Sequence, residues 1–277
     1  MTHRPRVDRS AAFATGAVAL AVVALIGTGA VAITSSRGES DATFGELGRE
    51  PEVDHDATVD PRDKPIADPN ADPKAVAAAS SEAMAAVTSV RFGLTRTGAA
   101  IFIDAFERIA LDSLLGRFTI PNQAQAELTV TINDTLTTKL GAVAIDEQVW
   151  ISNPVTGDFE TLNDGYDIDP SRFFDPTGGW KPLLANLADV TLIGIEDRGG
   201  DRYHIRGVAP AEQVRNITVG LVRDQDVPVD LWVHPDTDLV TAVEFTTVID
   251  GAESHWELTL SNYGEIFTIE PPEHVTP

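Results

Sequence analysis

Apolar and polar residues alternate along most of the chain that follows residue 88. In these runs every second residue is apolar, and the residues between are mostly Thr, Glu or Asp. The clearest runs are 88–95, 126–134, 229–235, 239–249 and 255–261. Such a period of two places one face of a strand against a core and the other in water, which is typical of antiparallel sheets. Turn sequences such as Asn133-Asp134 and Asp250-Gly251 separate the runs. The pattern predicts about nine or ten strands, mostly joined by hairpins.

Three stretches have helical rather than strand character. Lys74–Val87 is rich in good helix formers and follows a proline that suits a first helical turn. Gly179–Ala188 is a shorter candidate, and Pro210–Val222 is a third that contains several β-branched residues. A large antiparallel sheet with about three short helices is an α+β fold. The pattern leaves open whether the strands split into a packed sandwich or form one bent sheet that leaves an apolar hollow.

The run from Ala11 to Ile33 is 23 residues long and contains no charged residue. As a helix it would extend roughly 35 Å, enough to cross a bilayer core of about 30 Å. Three arginines and one acid precede it, and positive charge holds that end in the cytoplasm. We therefore expect a cytoplasmic tail over residues 1–10, a single-pass transmembrane helix over 11–33 and an extracytoplasmic remainder.

Two other interpretations of this run remain open. Ala30-Val31-Ala32 has the small-x-small form of a signal-peptide cleavage site, and cleavage there would release a secreted protein. The apolar core of a signal peptide is usually about 7–15 residues long, which favours an uncleaved anchor. A buried helix of a soluble protein is the third interpretation.

Residues 34–73 contain 11 acids, five prolines and few large apolar residues. Such a segment buries too little surface to offset the entropy cost of ordering, so we expect a disordered acidic linker. The folded domain is then expected over residues 74–277. In the whole chain 43 acidic residues outnumber 20 basic ones, giving a formal charge of −23. This charge repels nucleic acid, which we exclude as a partner.

No catalytic motif is present in the sequence, so the chain is not expected to be an enzyme or to hold a cofactor. His204, His234, His255 and His274 lack metal-ligand spacing and are expected to be exposed residues on or near strands. The acidic stretches 164–169 and 236–238 are the best candidates for calcium ligands. Neither has the spacing of a calcium-binding loop, and no metal site is predicted.

Several segments resemble, in order and spacing, the LppX/LprAFG family of actinobacterial cell-envelope lipoproteins. They are SSEAMAAVTSVRF at Ser80–Phe92, FDPTGGWKPLL at Phe174–Leu184, VDLWVHPDTDLV at Val229–Val240 and SNYGEIFTIEPPE at Ser261–Glu273. The resemblance extends roughly from Ala75 to Glu273. Members of the family usually carry a lipobox cysteine that accepts a lipid after cleavage. This chain contains no cysteine, so the 11–33 helix is expected to replace the lipid anchor.

The resemblance implies a half-barrel, which is a large, strongly curved antiparallel sheet with about three short helices on its concave side. It also implies a hydrophobic cavity between sheet and helices that holds the acyl chains of a lipid or glycolipid. Apolar residues on the alternating strands and on the middle helix are the candidates for its lining. They are Phe92, Leu94, Leu128, Val130, Ile132, Leu183, Leu184, Leu187, Leu231, Val233 and Phe245.

These features together predict a membrane-tethered, extracytoplasmic protein that carries or presents lipids in the cell envelope. Two alternatives remain. The first is an envelope sensor built on the same fold, and the second is a structural or interaction domain with a packed core and no lipid ligand. The sequence identifies no envelope transport partner.

The anchor interpretation predicts that the full-length chain stays with the membrane. Cell fractionation followed by intact-mass measurement is expected to recover an unprocessed protein in the membrane fraction, because a 23-residue uncharged helix partitions into the bilayer. A soluble product whose first residue is Ile33 would show instead that the segment is cleaved.

Overall fold

The computed structural model describes residues 67–103, 107–146, 148–154, 156–161, 177–217, 222, 224–249 and 251–276. These residues form one sheet of twelve strands and three helices. The strands are β1 (Ser89–Gly98), β2 (Ile109–Thr119), β3 (Gln123–Ile132), β4 (Leu136–Ile145), β5 (Gln148–Ser152), β6 (Phe159–Thr161), β7 (Ala188–Asp197), β8 (Asp201–Ala209), β9 (Val227–Val233), β10 (Val240–Ile249), β11 (Ala252–Ser261) and β12 (Val275–Thr276). The helices are α1 (Pro73–Ala85), α2 (Trp180–Ala185) and α3 (Ala211–Ile217).

The sheet consists of two meanders joined in the middle. Strands β1 to β6 lie side by side in chain order, and so do β7 to β11, while the pairing of β1 with β11 connects the two sets. All these pairings are antiparallel; β12 alone pairs parallel, with β6. The alternation predicted about nine or ten strands, and the sheet has twelve. Strands as short as β6 and β12, with three and two residues, leave no readable alternation.

Open, curved and mainly antiparallel, the sheet with its helices confirms the predicted α+β half-barrel. No helix within the described ranges is long and apolar enough to cross a bilayer. The run 11–33, the linker up to residue 66 and the acidic stretch 164–169 lie outside the described residues.

Helix α1 begins at Pro73, where the side chain of Asp72 accepts a hydrogen bond from the backbone N–H of Lys74 (3.1 Å). Val76, Ser80 and Met84 recur at a spacing of four and are all buried. Just before the helix, the backbone N–H of Asp68 donates to the Tyr203 hydroxyl at 3.0 Å. Asp68 belongs to the segment that the sequence predicts as linker, and this bond attaches it to the folded domain.

Helix α2 is shorter than the sequence predicts. It ends at Ala185, because Asn186 donates from its backbone and its side chain to the Pro182 carbonyl (3.1 and 2.7 Å) and β7 begins two residues later. The Ser81 hydroxyl of α1 donates to the Lys181 carbonyl at 2.8 Å, which ties the two helices together.

The helices cover one face of the β7–β11 half of the sheet, which we call the helix-bearing face. Val76, Leu184 and Val214, one from each helix, share a buried cluster with Ile205 and Leu231 of the sheet. We call the opposite side of the sheet the outer face. There the C-terminal tail packs Phe267 and Ile269 onto Val143, Trp150 and Phe159.

Arg96 links the C-terminal end of β1 to the loop that follows it and to β2. Its guanidinium donates to the carbonyls of Leu111 (2.6 Å), Gly98 (3.1 Å) and Ala99 (2.6 Å) and pairs with Asp112 at 3.1 Å. The side chain is only 7 % exposed. A buried charge needs this number of partners to offset its desolvation. The pairing register of β2 shifts between Leu111 and Ser113, next to these bonds.

Tyr263 attaches the segment after β11 to the core. Its hydroxyl donates to the Val240 carbonyl and lies 3.6 Å from the sulfur of Met84. Burial raises the pKa of this phenol far above its ordinary value. The stability that Tyr263 contributes is therefore intact below its unfolded pKa of about 10 and is lost as the pH rises above it.

The change Tyr263→Phe is expected to lower the free energy of unfolding at pH 7 by about 1 kcal/mol, because one buried hydrogen bond is lost. The variant should also lose less stability than the parent above about pH 10, since it has no phenol to ionise. Urea unfolding from pH 7 to 11 measures both effects. Parallel curves for the two proteins would contradict the assignment.

Candidate functional site

The apolar residues of the helix-bearing face form two buried clusters. The first packs the helices against β7–β11, and the second lies mainly on β2–β5 with Ile101 and Ile103 from the loop between β1 and β2. Phe245 contacts both clusters and stacks on Trp256, with ring centroids 5.8 Å apart.

One row of directly paired residues crosses nine strands of the helix-bearing face, from β7 to β4, and shows how burial varies between the clusters. Its members, in order from the edge strand β7 to β4, are Leu192, Ile205, Leu231, Val243, Leu258, Leu94, Leu114, Leu128 and Leu140. Leu231 and Leu128 are 0 % and 1 % exposed. Leu258, Leu94 and Leu114, between them, are only half-buried. The middle of the face is therefore apolar and incompletely covered.

The next row across the sheet adds small residues to this region. Phe92 pairs with Gly116, which pairs with Ala126, which in turn pairs with Ala142. A Cβ atom at Gly116 would collide with the Phe92 ring, so the glycine lets that ring lie flat over β2. The two alanines are half-buried and leave room above β3 and β4 that larger side chains would fill.

We call this region the central strip. It consists of Phe92, Leu94, Leu114, Ala126, Ala142 and Leu258. None of these side chains carries a polar atom, so the surface can contact apolar groups but has no means of its own to hold an ion. Within the described ranges no group of His, Asp and Glu residues is placed to bind a metal.

The structure separates the sequence candidates into two groups. Six of them lie inside the buried clusters: Leu128, Val130, Leu183, Leu184, Leu231 and Val233. The others are half-buried: Phe92, Leu94, Ile132, Leu187 and Phe245. Phe92 and Leu94 belong to the central strip, and Phe245 lies beside it. Ile132 lies at the end of β3, and Leu187 lies just before β7, both away from the strip.

Sequence reasoning missed a polar group on the outer face, around Trp232. Its indole is 3 % exposed and lies between Arg198, whose guanidinium carbon is 3.5 Å from the ring centroid, and His204, whose ring stacks at 4.5 Å. His204 itself is only 7 % exposed, so the expectation of an exposed histidine is wrong for this residue. Trp232 contributes to this stack rather than to the helix-bearing face.

Carboxylates hold both ring nitrogens of His204. Glu196 lies 2.6 Å from Nδ1, and Asp230 lies 2.7 Å from Nε2 and also accepts from Arg206 at 2.9 Å. Glu196 accepts in addition from the Trp232 indole at 2.8 Å. This last bond, followed by that of His204, lowers the pKa of Glu196. The bonds tie β7, whose register shifts twice, to β8 and β9. Their signal in the sequence is a polar residue in each of three neighbouring strands, recognisable only once the pairing is known.

The sequence of the described domain matches a known protein family. The family model described as LppX_LprAFG lipoprotein matches residues 72–269. The chain belongs to the LppX/LprAFG family. The match contains all three helices and β1–β11, and with them both rows of the helix-bearing face. The resemblance read from the quoted segments is thereby confirmed.

Solved structures of the LppX/LprAFG family share this fold. LprF from Mycobacterium bovis is 16 % identical and superposes with a TM-score of 0.56, covering 72 % of this chain and 96 % of its own. The lipoprotein LppX from Mycobacterium tuberculosis is 18 % identical, with a TM-score of 0.51 and coverage of 72 % and 98 %. No curated protein matches this chain in sequence.

Because the folded-state pKa of Glu196 is lowered, its stabilising effect is present above the unfolded value and is lost as the pH falls through the folded value. The change Glu196→Gln is therefore expected to lower the melting temperature at pH 7 by about 2–4 °C and to flatten its decline between about pH 5 and pH 3. Thermal melts across this range test the expectation. Glu212→Gln, at an exposed acid of α3, is the control and should follow the parent; identical profiles for all three proteins would contradict it.

Proposed function

We propose that this protein binds the acyl chains of a lipid or glycolipid on its central strip and carries or presents that lipid in the cell envelope. The observation behind the proposal is the drop in burial along one row of apolar residues. Leu231 and Leu128 are fully buried, whereas Leu258, Leu94 and Leu114 between them are not. A core that the chain fills by itself gives no reason for this drop at the centre of a sheet.

The energetics of such binding are favourable. Each methylene group removed from water contributes about 0.8 kcal/mol. A chain that buries about ten methylene groups thus gains about 8 kcal/mol before the entropy costs of binding are subtracted. The central strip is suited to binding an acyl chain because it contains no polar side-chain atom that would have to lose its water.

Ser80 is a buried polar group of the helix layer on the same face. It lies on the buried side of α1 between Val76 and Met84 and is 0 % exposed. Its hydroxyl has no hydrogen-bond partner among the described residues. An unpaired buried hydroxyl is costly, and the ester or hydroxyl oxygen of a bound lipid would relieve that cost.

The position in the cell is part of the same proposal. Residues 11–33 would anchor the chain in the membrane, and residues 34–73 would tether the lipid-binding domain outside the cytoplasm, close to the bilayer from which lipid is collected. The lipoprotein family to which the chain belongs supports an envelope location. No covalent chemistry is assigned to the domain.

Native mass spectrometry of residues 67–277, expressed in a bacterial host and kept under native conditions, tests the proposal. Co-purified lipid, or uptake of added phospholipid or glycolipid, is the expected result. A protein that carries no lipid and takes none up would instead leave a packed structural domain as the better interpretation.

The change Ala126→Trp tests the site itself. An indole at this half-buried position would occupy the room above β3 and is expected to reduce lipid uptake about tenfold while changing the melting temperature little. Val130→Trp, at a residue with 0 % exposure, should instead unfold the domain more readily by overpacking. Thr97→Trp, exposed on the outer face of β1, is the control for added bulk. Undiminished uptake by a folded Ala126→Trp protein would rule out the central strip.

A further inference from the structure

Two arginines face each other on the outer face of the sheet. Arg91 of β1 pairs in register with Arg117 of β2, so their Cβ atoms are about 5 Å apart and project to the same side. Like charges in directly opposed positions destabilise a sheet. The arrangement is notable in a chain with more than twice as many acids as bases, because carboxylates to neutralise the pair are plentiful elsewhere.

Neither arginine is paired with a carboxylate among the described residues. Arg117 donates from Nε and Nη2 to the side-chain oxygen of Gln125 (3.0 and 2.6 Å), which is a neutral acceptor. Arg91 has a buried Nε without a hydrogen-bond partner. Arg198 and Arg206 of the same sheet do pair with carboxylates, Glu244 at 2.6 Å and Asp230 at 2.9 Å. Arg202 of β8 shares the unpaired buried Nε of Arg91 but donates to the Asp201 carbonyl at 2.8 Å, and no second arginine faces it in the register.

A hollow of about 270 Å³ lies one step further along both strands and is lined by residues of β1, β2 and β11. Gly93 and Leu115, which are the next residues of β1 and β2 on this face, line it together with Thr259. A Cβ atom at Gly93 would lie 2.9 Å from the Thr259 hydroxyl and 3.1 Å from Leu115 Cδ2, so the glycine lets these walls approach each other. Leu115 is 44 % exposed, which leaves an apolar wall open to solvent.

Positive and negative side chains lie at different places around the hollow. At the end near Arg91, the residue directly opposite on β11 is Ser261, an exposed hydroxyl donor. Glu257 lines the hollow two residues beyond Thr259, away from the arginines. Glu127, opposite Leu115, is bound to Lys139 at 2.6 Å. An anion is thus favoured at the arginine end alone.

We propose that Arg91 and Arg117 bind a phosphate group whose organic substituent lies in the hollow beside Leu115. Guanidinium groups present a planar fork that matches the oxygens of phosphate, and the phosphate charge would neutralise both arginines at once. A carboxylate carries only one charge and would leave one of the two unbalanced. The phosphate can belong to a small soluble ester or to a lipid headgroup. The two arginines lie on the face opposite the central strip, although Leu94 and Leu114 of the strip also contribute to the lining of the hollow.

The test uses the full-length chain in nonionic detergent. Inorganic phosphate and glycerol phosphate are titrated against chloride at equal ionic strength, while the Nε–H signals of the arginines are followed by NMR. Phosphate is expected to shift the signals of Arg91 and Arg117 and to raise the melting temperature. A parallel arm uses residues 67–277 in detergent-free buffer, without the expected anchor, and compares their co-flotation with vesicles that contain phosphatidic acid and with vesicles of an uncharged glycolipid.

The variants Arg91→Gln and Arg117→Gln are each expected to weaken phosphate binding about tenfold, since each removes one charged fork. Without phosphate they should melt no lower than the parent, because the repulsion between like charges is gone. Arg206→Gln, at an arginine paired with Asp230, is the matched control and should bind phosphate like the parent. Lipid uptake on the central strip should be the same in all of them.

The two arms distinguish the sources of the phosphate. Saturation by glycerol phosphate supports a soluble ester, and binding confined to phosphatidic acid vesicles supports a lipid headgroup. The proposal is overturned if phosphate acts no differently from chloride and the two kinds of vesicle bind equally. It is also overturned if Arg91→Gln and Arg117→Gln bind phosphate as the parent does.

Discussion

The fold depends on one mismatch, which is that the sheet is wider than the helices resting on it. Neighbouring strands are about 4.8 Å apart, so twelve of them span about 50 Å. The longest helix, α1, has 13 residues and extends about 20 Å, and α2 and α3 have six and seven residues, about half that length. The described helices therefore cover only the β7–β11 half of the helix-bearing face. The curvature of the sheet brings the β1–β6 half towards the helices, and the central strip lies where the covered half meets the uncovered one.

The outer face has a different construction because it must stay soluble while keeping the strands in register. Some of its polar side chains are joined across strands, as in the group around Trp232 and His204. At the other end of the sheet, Phe267 and Ile269 of the C-terminal tail cover the large residue Trp150. Between these two arrangements, Arg91 and Arg117 face each other without a carboxylate partner among the described residues, which is why they suggest a ligand.

Much of this could be predicted from the sequence, because alternation is a local property. It assigned Leu94, Leu128, Leu231 and their neighbours to one face correctly, and the alanine-rich segment to α1. What alternation does not contain is the order of strands. The difference in burial between Leu94 and Leu128 arises from neighbours that lie far away in the chain. The burial of His204 depends likewise on Trp232 of the adjacent strand, so composition alone suggested an exposed residue.

The junction of β1 with β11 has a consequence for how the domain is made. The bond from the Thr259 hydroxyl to the Gly93 carbonyl joins residues 166 positions apart in the chain, whereas the other neighbouring strands in each meander follow one another directly. Closing so long a loop is slow compared with forming a hairpin. A chain that emerges N-terminus first can therefore assemble β1–β6 early, but β1 must keep a bare edge until nearly the whole domain has followed. During that interval the edge is open to pairing with the wrong strand.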